Sequence, residues 1–185
     1  MTTVSFDDAD STNKDILFRQ YASLALTANQ TITGAQALKF QIRAQQGSAN
    51  NNMFTALGIR VVASDGTTIQ KTVLSVTRDN VEGDNAVLKN RQFTATSAAT
   101  NYTTVAGDRL LIEIGTGGDP AILQNHDSDL RIGDNDTTDL PEDDTTTADN
   151  NPWIELTDTL TFVAVVITPT AVKFISQAVR RSVTH

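Results

Sequence analysis

The sequence contains no cysteine, which excludes disulfide bonds and thiolate metal sites and leaves the redox compartment undetermined. It has two histidines, one tryptophan and two tyrosines among its 185 residues. A site built on imidazole groups, or on a row of stacked aromatic rings, therefore has few residues to draw on. This scarcity argues against histidine-based catalysis and against an aromatic platform for single-stranded nucleic acid.

A long apolar run is also missing. The longest uninterrupted one, residues 162–167, has six residues, whereas a transmembrane helix needs about 20. The first eleven residues, MTTVSFDDADS, include neither the basic nor the apolar part of a secretory signal. We therefore expect neither a membrane span nor a signal peptide.

Basic residues are fewer than acidic ones, 14 against 22, which gives a net charge of −8. The imbalance is local, because residues 126–160 hold eleven acids and one base, Arg131. The rest of the chain has eleven acids and thirteen bases. A duplex-binding protein needs a basic face that neutralises phosphates, and the sequence predicts no such face, so we expect no nucleic-acid partner.

Threonine, by contrast, is abundant, with 28 residues, and its branched Cβ favours strands. In residues 38–44, LKFQIRA, apolar and polar side chains alternate strictly, as in a strand buried on one face. Residues 58–64 and 67–76 flank a Ser-Asp-Gly turn and predict a hairpin. Seven or eight such strands without a helix in the body predict an all-β fold, an antiparallel β-sandwich of jelly-roll type.

We predict three parts: an N-terminal extended arm (1–14), the β-sandwich domain (15–163) and a C-terminal arm or short helix (164–185). The N-terminal arm is polar and acidic, and we expect it to become ordered only on a partner or not at all.

Residues 171–183 have the apolar spacing of an amphipathic helix, although a last β-strand fits them as well. The C-terminal part has three bases and no acid, so it is either a docking arm or a helix packed on its own sandwich. The predicted partner-binding residues are Val172, Phe174, Ile175, Val179, Arg180 and Arg181.

The stretch DNDTTDLPEDDTTTADNNPW, residues 134–153, holds seven acids and no base. Asp134, Asp136 and Asp139 offer the hard oxygen ligands that calcium prefers, although the EF-hand pattern is absent. The other interpretation is a solvated or partner-facing loop that keeps a sheet edge from pairing with another chain. Trp153 closes the loop, and we expect it to plug the end of the core rather than to stack on a sugar.

Catalytic signatures are weak. His126 has acidic neighbours that could raise its pKa, but no nucleophile-elbow motif accompanies it. The glycine cluster GTGGD, residues 115–119, lacks the Lys-Ser/Thr of a phosphate loop and is predicted to be a turn. We therefore predict that the protein is not an enzyme, with a hydrolase using His126 as the minority alternative.

Several segments in order, among them LGIRVVASDGTTIQKTVLS, AGDRLLIEIG, LRIGDNDTTDLP and NNPWIEL, resemble β-sandwich virion structural proteins of environmental tailed bacteriophages. The resemblance covers about residues 5–162 and includes no catalytic signature. It implies a capsid decoration (cement) subunit or a tail- or fibre-associated subunit, located in the virion and assembled in the bacterial cytoplasm.

Its implied partners are other virion proteins and further copies of the chain, for example in a trimer. We predict no cofactor, with calcium at the acidic loop as the alternative. The alternative is a carbohydrate-binding module for host adhesion, with or without calcium.

Overall fold

The computed structural model describes residues 2–7, 15–47, 49, 52–118, 125–131, 139–145 and 152–164. Within these ranges the chain forms strands and no helix, so the all-β prediction is confirmed. The strands are β1 (Thr2–Asp7), β2 (Asp15–Ala22), β3 (Thr31–Ile32), β4 (Ala37–Gln46), β5 (Met53–Val62), β6 (Ile69–Arg78), β7 (Lys89–Thr96), β8 (Tyr102–Thr103), β9 (Arg109–Gly118), β10 (Asn125–Arg131) and β11 (Trp153–Glu155).

Two antiparallel sheets make up most of the fold. In the first sheet β4 is central: β7 pairs with one of its edges, and β10 and β11 pair with the other, with β1 outside β10. The second sheet has the order β2-β9-β5-β6, and its β5–β6 pair is the predicted hairpin. The short strands β3 and β8 form a separate pair. This arrangement confirms an antiparallel sandwich, while the jelly-roll type stays a prediction.

The core lies between the two sheets. On β4 the side chains of Leu38, Phe40 and Ile42 are almost fully buried, as the alternation predicts. From the second sheet, β5 and β9 contribute Ile59 and Ile114, among others, to the same cluster. Burying a large aliphatic side chain stabilises a fold by about 2 kcal/mol, so this shared cluster is what holds the sheets face to face.

The turn of the β5–β6 hairpin is closed by Asp65. Its carboxylate accepts hydrogen bonds from the Thr68 hydroxyl and from the main-chain N–H groups of Thr67 and Thr68. These bonds, the Thr68 hydroxyl foremost, lower the pKa of Asp65 to about 2. Gly66 follows with a φ of 75°, a conformation that favours glycine. The Ser-Asp-Gly signal in the sequence therefore marks the turn correctly.

The glycine cluster is a strand and not the turn that we predict from sequence. β9 continues through Gly115 to Gly118 and pairs with β2 and β5 along this stretch. A Cβ on Gly115 would lie 2.1 Å from the carbonyl oxygen of Ile16, because β2 has a bulge beside it. Gly115 is therefore needed for the close approach of two backbones.

Gly117 makes room for a side chain that crosses the sheet. Arg78, at the end of β6, passes over Gly117 and donates from Nε to Asp15 of β2 at 2.7 Å. Its Nη1 also donates to the carbonyl oxygen of Gly118 at 3.1 Å. The two edge strands of the second sheet are thus joined across its outer face.

Part of the predicted N-terminal arm is described as a strand. Residues 2–7 form β1, which pairs antiparallel with β10 from Thr2↔Leu130 to Asp7↔Asn125. Residues 171–183, for which the sequence leaves both helix and strand open, lie outside the described residues.

Substituting Gly115 by alanine is expected to lower the free energy of unfolding by about 2 kcal/mol, because the new Cβ forces the β2 backbone away. Gly58→Ala is the control, since a Cβ there would meet only side-chain atoms, the nearest at 3.2 Å. Urea denaturation measures both losses, and equal losses for the two variants would contradict the proposed backbone clash.

Candidate functional site

The described part of the acidic loop, residues 139–145, lies across the outer face of the first sheet; we call it the acidic segment. The N–H of Leu140 donates to Oε1 of Gln41 at 2.9 Å. The side chain of Asn90 donates to the carbonyl oxygens of Leu140 and Pro141 at 2.8 and 2.9 Å. Gln41 and Asn90 face away from the core, yet both are 0% exposed because the acidic segment covers them.

The same segment pairs with the outer edge of β7. Asn90 donates its N–H to the carbonyl of Asp144 at 2.8 Å and accepts one from Asp143 at 3.0 Å. Two residues further along this edge, the N–H of Gln92 donates to the carboxylate of Glu142. A carboxylate here takes the place that a neighbouring strand's carbonyl would fill. The acidic segment therefore closes an edge that would otherwise be open to another strand.

Arg91 is the electrostatic centre of the site. Its side chain, 3% exposed, has Nη2 3.1 Å from the carboxylate of Asp79, which is 1% exposed and follows β6 of the second sheet. Its Nη1 lies 2.6 Å from Glu142 and 3.1 Å from Asp143. One guanidinium group thus joins the two sheets and the acidic segment, a role that suits its planar set of donors.

Two lysines flank this centre. Lys39 pairs with Asp139 at 2.7 Å, and Lys89 pairs with Asp84 and lies 3.7 Å from Asp143. The hydrogen bond from Lys39 lowers the pKa of Asp139. Partial burial raises the pKa of Glu142, against the opposing effects of the Gln92 N–H and Arg91. Three acids of the segment therefore meet three cations of β4 and β7.

Trp153 does not plug the end of the core as predicted. In the β11–β4 pairing it stands opposite Gln41, on the outward-facing row, while Ile154 stands opposite the core residue Phe40. The Nζ of Lys39 lies 5.0 Å from the centre of the Trp153 ring, in a cation–π contact. That ring face is occupied by a lysine of the same chain and is not free to stack on a sugar.

Of the three predicted metal ligands, only Asp139 lies in the described part of the chain. Asp134 and Asp136 lie outside it, and the carboxylate of Asp139 is engaged by Lys39 and Gln92. Among the described residues, no group of three or more acidic or histidine side chains is arranged to hold a metal ion. The calcium hypothesis stays a prediction.

Other predicted site residues cannot be compared with the structure. The backbone of His126 belongs to β10 and pairs with Phe6, and its side chain is outside the described part. The predicted partner-binding residues also lie outside it: Val172, Phe174, Ile175, Val179, Arg180 and Arg181.

The outer face of the second sheet carries a different feature, which the sequence did not indicate. A hollow of about 120 Å³ lies over Gly58 and Gly115, between the exposed side chains of Leu17 and Val76. The carboxylate of Glu113 forms part of its wall.

Glu113 is itself held by two side chains. Gln20 donates to it at 2.8 Å, and Nη1 of Arg60 lies 3.1 and 3.0 Å from its two oxygens. The charge of Glu113 is therefore matched by Arg60.

Removal of the central cation tests the site. Arg91→Met should lower the free energy of unfolding by about 3 kcal/mol, because it leaves the buried carboxylate of Asp79 uncompensated. The double variant Arg91→Met/Asp79→Leu should regain most of this loss, as an apolar pair replaces the charged one.

Lys39→Met is the matched control, since its pair with Asp139 is exposed to solvent and is expected to matter far less. Urea denaturation gives all three values, and a loss for Arg91→Met no larger than that for Lys39→Met would contradict the assignment.

No protein-family model matches the sequence, and no curated protein matches it. Among solved structures, it is similar to the VP2 subviral particle of infectious bursal disease virus, at 12% identity and a TM-score of 0.22. The match covers 69% of this chain and 36% of that one, and similarity at this level establishes neither a shared fold nor a shared function.

No helix among the described residues has the length and apolarity to cross a membrane.

Proposed function

We propose that this chain is a non-enzymatic structural subunit of a bacteriophage virion, either a capsid decoration (cement) protein or a tail- or fibre-associated one. The proposal is supported by the series of sequence segments that, in their order along the chain, resemble such proteins. It places the chain in the assembled particle, in contact with other virion proteins and with copies of itself.

The observation that carries the proposal is the unequal covering of the two sheets. The acidic segment covers part of the outer face of the first sheet, whereas the second sheet exposes apolar side chains beside a hollow. Leu17 is 53% exposed and Val76 is 44% exposed. Exposed apolar side chains around a hollow are typical of a surface that receives a partner's anchor residue.

Strand edges offer a second kind of contact. Among the described strands, β1 and β11 are outer strands of the first sheet, and β2 and β6 are the outer strands of the second. Such edges have main-chain groups that can pair with a strand from a neighbouring subunit, as in β-augmentation. The β7 edge differs, since the acidic segment already occupies it.

Mass spectrometry of purified virions tests the function. We expect the protein in every particle preparation, with hundreds of copies per particle for a capsid decoration role or a few for a tail role. Absence from purified particles would contradict the proposal.

The contact surface is tested in the same assay. Changing both Leu17 and Val76 to Asp should reduce the copies per particle by about tenfold, because a buried unpaired charge strongly opposes docking. Val105→Asp is the control, since Val105 is 61% exposed and lies in the turn before β9. Equal incorporation of both variants would count against this face.

A further inference from the structure

The acidic segment is held by its site in the way a peptide ligand is held by a receptor. Five of its seven residues are exposed, and Leu140 is its one buried apolar side chain. Its remaining contacts are main-chain hydrogen bonds, side-chain hydrogen bonds and ion pairs. A segment attached mainly through polar contacts is bound far less firmly than one packed into a core.

The groups of the site match an acidic peptide that turns at Asp143. The β7 edge pairs with the peptide backbone at Asn90 and offers the N–H of Gln92 to a carboxylate. Arg91, Lys39 and Lys89 supply positive charge along the same path. Because the main-chain pairing is limited to Asn90, the charged contacts at fixed positions are what would distinguish one peptide from another.

The chain length on either side allows the segment to leave without unfolding its neighbours. β10 pairs with β4 at Arg43–Gln46, and β11 pairs with it at Lys39–Gln41, independently of the acidic segment. Seven residues separate the segment from β10 and seven separate it from β11. Seven residues can span at most about 23 Å, which limits the distance within which a neighbouring copy's site must lie.

There is also space beside the occupied site. A cleft of about 450 Å³ runs along it, lined in part by Lys39, Arg78, Gln92 and Glu142. An incoming segment can therefore approach the β7 edge before the resident one has left completely.

We propose that this site is an acceptor for an acidic segment that turns at Asp143, and that the 139–145 segment of a second copy exchanges with the chain's own. The inference rests on the proposed function, because an assembled particle supplies the millimolar local concentration at which a neighbour competes with a tethered segment. Exchange links adjacent subunits through contacts that each subunit already makes within itself.

A chain with residues 139–144 replaced by glycine and serine tests the acceptor. It should bind a labelled peptide of residues 137–146 saturably in fluorescence anisotropy. A peptide with Glu142→Gln and Asp143→Asn should bind at least tenfold more weakly, because it lacks the charges that pair with Arg91. Equal binding of the two peptides, or of a scrambled peptide of the same composition, would overturn the specificity.

The native chain tests the exchange itself, independently of whether the replaced variant folds. A mixture of ¹⁴N- and ¹⁵N-labelled copies is treated with a carbodiimide, which joins Lys39 to Asp139 where they pair. At millimolar concentration we expect mixed-isotope cross-links between these residues, and none in Lys39→Arg. Exclusively same-isotope cross-links would overturn the exchange, while leaving the presence of the protein in virions unaffected.

Discussion

The placement of the acidic segment against the two sheets depends on one buried cation, Arg91, which is shared among three carboxylates from two parts of the chain. Asp79 belongs to the end of the second sheet, and Glu142 and Asp143 belong to the acidic segment. A buried guanidinium is stable only when most of its charge and its donors are matched. The end of β6, the strand β7 and the acidic segment are consequently linked through one side chain.

This constraint explains why so much negative charge stands between β10 and β11. These strands lie along one edge of β4, and the chain between them crosses to the opposite edge of the sheet, where it pairs with β7. The acidic side chains of residues 139–145 pair with the cations of β4 and β7, and the backbone of this segment closes the β7 edge. The excess acidity of the region is thus in part structural.

The sequence predicts correctly those features whose pattern lies within a single strand or turn. The alternation of Leu38, Phe40 and Ile42 gave the inner face of β4, and Ser-Asp-Gly gave the β5–β6 turn. It failed where a distant segment decides the environment: Gln41 follows a solvent-facing pattern but is covered by the acidic segment. Gly115 looked like part of a turn because the approach of the β2 backbone cannot be read from neighbouring letters.

The candidate site shows the same division. The edge-protecting role of the acidic loop could be anticipated from its composition, whereas its partners could not, because Arg91 lies about fifty residues away in a short strand of ordinary appearance. Likewise, a tryptophan next to an apolar alternation suggested a core position. The register of β11 with β4 places Trp153 on the other face. Pairing register is a tertiary property, and a one-residue shift reverses the face of every side chain.

Amide hydrogen exchange tests most directly whether the acidic segment closes the β7 edge. The N–H groups of Asn90 and Gln92 should exchange at least tenfold more slowly than that of Thr94, which lies further along the same edge beyond the segment. Glu142→Ala should remove the protection of the Gln92 N–H and leave the exchange rates of the core amides in β4 and in β5 unchanged. Exchange at Gln92 that is fast in the native chain, or unaffected by the substitution, would contradict the account.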